Sequence, residues 1–147
     1  MQLGFDVPVR LSSREQVTYT SLLWSAASLK LTMGGNWSVV HHSQLLLELL
    51  EAGRLRPRKG LGYRVTYHDP CTLGRFNGVY DEPRQVIASL GCELVEMPRN
   101  RDNSFCCGAG GGRIWMKELK SDEAQRPSES RIDEAVELQA IDYFVVA

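Results

Sequence analysis

The sequence has no surplus of charge of either sign: 17 Lys and Arg stand against 18 Asp and Glu, a formal net charge of −1. Nucleic-acid surfaces and polybasic membrane-binding faces draw on an excess of Lys and Arg, and that excess is missing. Long apolar runs are missing too. The uncharged stretch from Gln16 to Leu29 is too short and too rich in Ser and Thr to cross a bilayer, which takes about 20 apolar residues. Met1 to Gln16 carries Asp6, Arg10, Arg14 and Glu15 with no apolar segment between them, so no targeting signal is legible there. Cysteine is scarce for a secreted disulfide scaffold: four in 147 residues, at 71, 92, 106 and 107, two of them adjacent. This usage fits a reduced, cytoplasmic setting in which thiolates serve as ligands or nucleophiles.

What is present is an ordinary globular composition, 43% hydrophobic and 24% charged, at a length suited to one domain. Periodicity divides the chain into alternating elements. Ser12, Ser13, Glu15 and Gln16 resemble a helix cap, and Leu22, Leu23, Ala26, Ala27 and Leu29 have helical spacing. Gly34-Gly35-Asn36 marks a turn. Trp37 to His41 reads as a strand, and Ser43 as the cap of a helix with Leu45, Leu46, Leu49 and Leu50 on one face and Gly53 as its stop. Tyr63 to His68 reads as a strand ended by Asp69-Pro70. A helix opening at Asp81 and Pro83 closes at Gly91, and Cys92 to Met97 forms the next strand.

A loop then runs from Pro98 to Gly112, with helices expected over Arg113–Leu119 and Arg131–Leu138 and a last strand over Tyr143–Ala147. Strands alternating with helices predict an α/β fold, a small Rossmann-like layered domain whose mostly parallel sheet is flanked by helices. Sites in such sheets gather in the loops that follow the strands, and both Cys71 and Cys106-Cys107 fall in such loops.

A thiolate after one strand and a vicinal pair after the next can converge on one inorganic centre. Iron–sulfur clusters are held by Cys thiolates. Gly108 and Gly110, with their neighbours in the Gly108–Gly112 run, let backbone approach the sulfurs and offer N–H groups to them. Adjacent cysteines are awkward on one tetrahedral zinc and natural on two irons.

The run His68-Asp69-Pro70-Cys71, with Gly74-Arg75-Phe76-Asn77-Gly78-Val79-Tyr80-Asp81-Glu82-Pro83-Arg84, resembles the CCG, or cysteine-rich, domain. So does Asn103-Ser104-Phe105-Cys106-Cys107-Gly108-Ala109-Gly110-Gly111-Gly112. That domain occurs in the cysteine-rich subunit of heterodisulfide reductase, in its membrane-linked relative, and in the iron–sulfur subunits of glycolate and lactate oxidation systems. The resemblance covers roughly residues 34–147, with 1–33 matching poorly as the end of a preceding repeat. It implies an electron-transfer module with a [4Fe–4S]-class cluster, cubane or noncubane, ligated by Cys71, Cys106 and Cys107. Gly108 and Gly110 would then line the cluster.

The family pattern closes with Cys-x-x-Cys, which is expected beyond a strand like Tyr143–Ala147. On this reading the chain is a second repeat without its last ligands, completed by the rest of a longer chain or by a partner subunit. The implied partners are a flavoprotein, a ferredoxin-like protein or a quinone-linked subunit, which would bring the domain to the inner face of the membrane.

The rival readings are a cluster-free remnant with a role in assembly, and a zinc or thiol protein using the vicinal pair. Cys92 matches no family ligand and is expected in the core. His68 is expected to have a structural role at a strand end. His41 and His42, neighbours on a strand, would face opposite ways. Arg75 and Arg113 are candidates for offsetting cluster charge or contacting an anionic substrate. No phosphate cradle is expected, since no Gly-Lys-Ser/Thr follows the Gly run and Arg113 stands where the dinucleotide pattern needs Gly.

Overall fold

The computed structural model of the chain describes residues 16–19, 38–109 and 125–146. Element order among them is β1 (Gln16–Tyr19), β2 (Ser38–His41), α1 (His42–Glu51), β3 (Arg64–Tyr67), α2 (Asp81–Ser89), β4 (Glu93–Leu94), a 3₁₀ turn (Arg101–Asn103), α3 (Pro127–Val136) and β5 (Tyr143–Val145). From β2 onward strands and helices alternate as expected, and every strand pairing among the described residues is parallel. β1 pairs with β2, and a second sheet has the order β4-β3-β5.

The central strand β3 organises the core. Val65 and Tyr67 alternate onto one face and pack with Ile87 of α2, while Tyr63, Cys92, Leu94 and Val145 close around them. Cys92 is therefore a half-buried core thiol, as its position at a strand start implies. Between them Thr66 is fully buried and lines a cleft with Ile132 and Ala135 of α3. β3 is thus sandwiched between α2 and α3, a helix–sheet–helix arrangement. α1 packs on α2, with Gln44 Nε2 donating to Glu82 Oε1 at 3.2 Å.

Five sequence expectations need correction. Gln16–Tyr19 is a strand rather than the start of a helix, consistent with β-branched Val17 and Thr18 beside Tyr19; the helical spacing from Leu22 to Leu29 lies outside the described residues. The cap of α1 is His41, not Ser43: its Nδ1 accepts from the Ser43 amide at 3.3 Å, and the Gln44 side chain accepts from the His41 amide at 3.1 Å. Because His41 ends a strand and His42 begins a helix, their rings do not diverge but lie with centroids 4.0 Å apart.

The strand from Cys92 to Met97 pairs only over Glu93–Leu94, with one further bond from Val95 N to Val65 O at 2.8 Å. Finally, α3 starts at Pro127, four residues before the apolar pattern begins. Pro at the first turn is preorganised for a helix, and Glu129 accepts from the Arg126 amide at 3.0 Å. The expected helix at Arg113–Leu119 lies outside the described residues.

Helix α2 ends where expected. Gly91 has φ 72°, and a Cβ there would stand 3.1 Å from the Gly60 Cα, so the position requires glycine on both counts.

Candidate metal centre

Strand β3 delivers the first thiol. Its ladder to β5 continues one residue past the strand, with His68 N donating to Val145 O at 2.9 Å. Asp69 and Pro70 follow, then Cys71 at the head of a compact turn. Gly74 N reaches back to Pro70 O at 2.9 Å and Phe76 N to Cys71 O at 3.2 Å. The Cys71 thiol is free and half-buried.

Strand β4 delivers the vicinal pair. After Met97 the chain passes through the 3₁₀ turn and buried Ser104 to Cys106 and Cys107, both free and exposed. Gly108 turns the backbone with φ 77° and donates its amide to Cys106 Sγ at 3.2 Å. A backbone amide on a cysteine sulfur tunes a metal bound to it. Gly110 and Arg113 lie outside the described residues.

The two cysteine loops are stitched together by a buried polar network. Asp69 lies at its centre: Oδ1 and Oδ2 accept from Arg84 at 2.7 and 2.8 Å, and Oδ2 also accepts from the Arg101 amide at 2.7 Å. Burial alone would push the Asp69 carboxyl up. The bonds from Arg84, the Arg101 amide and the Arg84 charge outweigh it and hold the carboxyl below its ordinary value. Arg84 also engages Glu96, at 2.5 Å from Nε and 3.0 Å from NH2.

From the opposite face of the sheet, Arg131 of α3 donates from Nε to His68 Nδ1 at 3.1 Å and from NH1 to Arg99 O at 2.7 Å. Arg75 donates to the carbonyls of Asp102 and Ser104, so its guanidinium ties the Cys71 turn to the stretch just before Cys106. His68 is buried and lowered from its ordinary pKa, first by desolvation and then by the Arg131 charge, against the pull of Asp69. A neutral ring accepting at Nδ1 carries its proton on Nε2.

The donor chemistry suits an iron–sulfur cluster: three free thiols on neighbouring strand ends, with an amide already on one sulfur. Among the described residues, no three His, Cys, Asp or Glu side chains are gathered closely enough to hold a metal ion. The structure ties the two loops together through the side chains of Asp69, Arg75 and Arg131 and leaves Cys106 and Cys107 at the surface.

Sequence reading did not assign roles to Asp69, Arg84 or Arg131. The signal was available in helical spacing: Arg84 shares the inward face of α2 with Ile87, and Arg131 that of α3 with Glu134 and Ala135.

Comparison with known proteins decides the lineage. The CCG family, described as cysteine-rich domain, matches residues 65–147. The chain belongs to this family. The chain is 50% identical over 86 residues to the EtfAB:quinone oxidoreductase of Syntrophomonas wolfei, covering 58% of this chain and 12% of that one. It is 49% identical over 86 residues to the probable iron-sulfur-binding oxidoreductase FadF of Bacillus subtilis, with the same coverage. Identity is 40% over 105 residues to one subunit of the dihydromethanophenazine:CoB–CoM heterodisulfide reductase of Methanosarcina barkeri, covering 71% of this chain and 25% of that one. The chain thus spans 12% of the length of the first two relatives. No solved structure matches it. Among the described residues, no helix is long and apolar enough to cross a membrane.

Proposed function

We propose that this CCG domain is an iron–sulfur electron-transfer module of a heterodisulfide-reductase-like oxidoreductase, with Cys71, Cys106 and Cys107 as thiolate ligands of a [4Fe–4S]-class cluster. The observation that carries this reading is the stitching of two thiol loops at the carboxyl ends of adjacent parallel strands, through Asp69 to the Arg101 amide and Arg75 to the Ser104 carbonyl. A fold that kept the cysteines only as packing would have no need to join the loops that bear them. Relatives named as quinone-linked, iron-sulfur-binding and heterodisulfide-reducing proteins support the same chemistry.

The cluster, when bound, supplies one-electron redox chemistry. The chain's own residues do the rest. Cys71, Cys106 and Cys107 would hold the iron, the Gly108 amide donates to the Cys106 sulfur, and Gly110 is the further glycine assigned to the cluster. The closing ligands come from a Cys-x-x-Cys segment or a partner subunit. Electrons pass to or from a flavoprotein, ferredoxin-like or quinone-linked partner, at the inner face of the membrane. Residues 34–147 act as one unit in this role.

The test is anaerobic iron and acid-labile sulfide content of the purified chain, beside the same chain continued past Ala147 by a segment bearing Cys-x-x-Cys. Matched iron and sulfide in either form is the expected result. Zinc without sulfide, or no metal in either form, would overturn it.

A further inference from the structure

Arg131 is 2% exposed, and its guanidinium bonds the segments that lead to Cys71 and to Cys106. Nε donates to His68, three residues before Cys71. NH1 donates to the Arg99 carbonyl, and NH2 to Ser104 Oγ at 3.4 Å, both on the stretch before Cys106. The helix that carries it also meets Gly108: a Cβ there would stand 3.5 Å from Ser128 N and 3.6 Å from Pro127 Cβ. Glu134, one turn on, accepts from Arg131 NH1 at 2.8 Å and from the Arg99 amide at 2.8 Å, which orients the guanidinium from below.

A planar fork with several fixed donors can reach a ring nitrogen, a carbonyl and a hydroxyl on separate segments at once. An ammonium on a flexible stem cannot. A buried arginine with one carboxylate partner would also be a poor choice for stability alone, because desolvation offsets much of the ion pair.

We propose that Arg131 is a positioning residue for the ligand cysteines, setting the separation of the Cys71 loop from the Cys106-Cys107 loop. The inference deepens the iron–sulfur reading and rests on it for the identity of the ligands.

The experiment compares wild type with Arg131→Lys and Arg131→Met, each in the chain continued by Cys-x-x-Cys. Hydrogen exchange is read first on the metal-free protein. Losing hydrogen bonds made by a charged donor should raise exchange at the Arg101 and Ser104 amides about tenfold. The Glu93 and Val95 amides, which bond Tyr63 and Val65, should keep their wild-type rates in Arg131→Lys, since lysine preserves the charge beside Glu134. Loop amides exchanging as in wild type would overturn the proposal. So would loop and strand amides accelerating together in both variants, which would make Arg131 a general prop of the fold.

The second readout is the midpoint potential and paramagnetic resonance spectrum of the iron-loaded protein. Arg131→Lys should shift both at unchanged iron content, and identical values would count against positioning. If wild type takes up no iron, the cluster reading fails by itself, and the exchange pattern alone decides whether Arg131 couples the two thiol loops.

Discussion

Arg84 meets Asp69 edge to edge, NH1 on Oδ1 at 2.7 Å and NH2 on Oδ2 at 2.8 Å, with both side chains almost wholly buried. This bidentate geometry is the strong form of an ion pair. It links α2 to the residue two before Cys71. Because Asp69 also accepts the Arg101 amide, the pair fixes the stretch leading to Cys106 as well. The core of Val65, Tyr67 and Ile87 is small, so polar contacts carry much of the definition at this end of the sheet. Tyr67 shows the crowding: the Arg84 guanidinium lies 5.3 Å from its ring centroid, and burial pushes its hydroxyl pKa up.

Arg84→Met is therefore expected to be severely destabilising. It strands a buried carboxylate, a change that costs about 3–5 kcal/mol. Adding Asp69→Asn removes the stranded charge while keeping an oxygen for the Arg101 amide, so the double variant should recover a large part of the loss. Denaturant midpoints under anaerobic, reducing conditions measure both. A double variant no more stable than Arg84→Met would show that the charge pair is not what matters.

Acid sensitivity follows from His41. Burial, and then the neighbouring His42, lower its pKa from 6.5 to about 4. Between those values the unfolded chain binds the proton and the folded chain does not, so stability is full above pH 6.5 and declines as pH falls toward about 4. His68 shifts in the same direction and adds to the slope. His41→Asn keeps a side-chain acceptor for the Ser43 amide but cannot titrate. Its unfolding midpoint should change less than that of wild type between neutral pH and about pH 5, where a neutral histidine must take up a proton to unfold. Parallel curves for the two proteins would refute this.

Much of the fold was legible in the sequence because its signals are local. β-Branched runs such as Val65-Thr66 mark strands, and Gly91 marks a helix end within one or two residues. The vicinal cysteines and the glycines after them are likewise contiguous. The polar network was not legible, because its partners are separated along the chain: Asp69 from Arg84 by 15 residues, from the Arg101 amide by 32, and His68 from Arg131 by 63. No periodicity couples such pairs. His41 was missed as a helix cap for another reason, since imidazole is not among the common capping groups. The start of α3 was hidden because its first turn, Pro127 to Ser130, is largely polar and buries no residue.

Gly108→Ala probes the loop itself. Space is not the obstacle, since the new Cβ would make only ordinary contacts with Pro127 and Ser128. The backbone is: φ 77° in a residue with a Cβ costs about 1–2 kcal/mol. If that strain is relieved by turning the peptide, the amide bond to Cys106 Sγ is lost. Alanine is thus expected to lower iron retention while costing global stability no more than about 1–2 kcal/mol. Asn tolerates this conformation better and should fall between the two. Equal iron content in all three would remove the amide from the argument.

The cysteines provide the sharpest contrast, because the chain carries its own control. Cys71→Ser, Cys106→Ser and Cys107→Ser should each reduce iron and sulfide to well below half of wild type in the chain continued by Cys-x-x-Cys. A hydroxyl is a poor replacement for a soft thiolate on iron. Cys92→Ala should keep both at wild-type level, since Cys92 packs against Val65, Tyr67 and Ile87. Its cost is about 1 kcal/mol of stability, the usual penalty for deleting a small core group. Should Cys92→Ala lose as much iron as the others, the ligand set is wrong or the losses report unfolding; denaturant midpoints for all four variants separate those two. Iron surviving in Cys71→Ser but not in the vicinal variants would confine the centre to the Cys106-Cys107 loop, and the stitching of the two loops would then need another purpose.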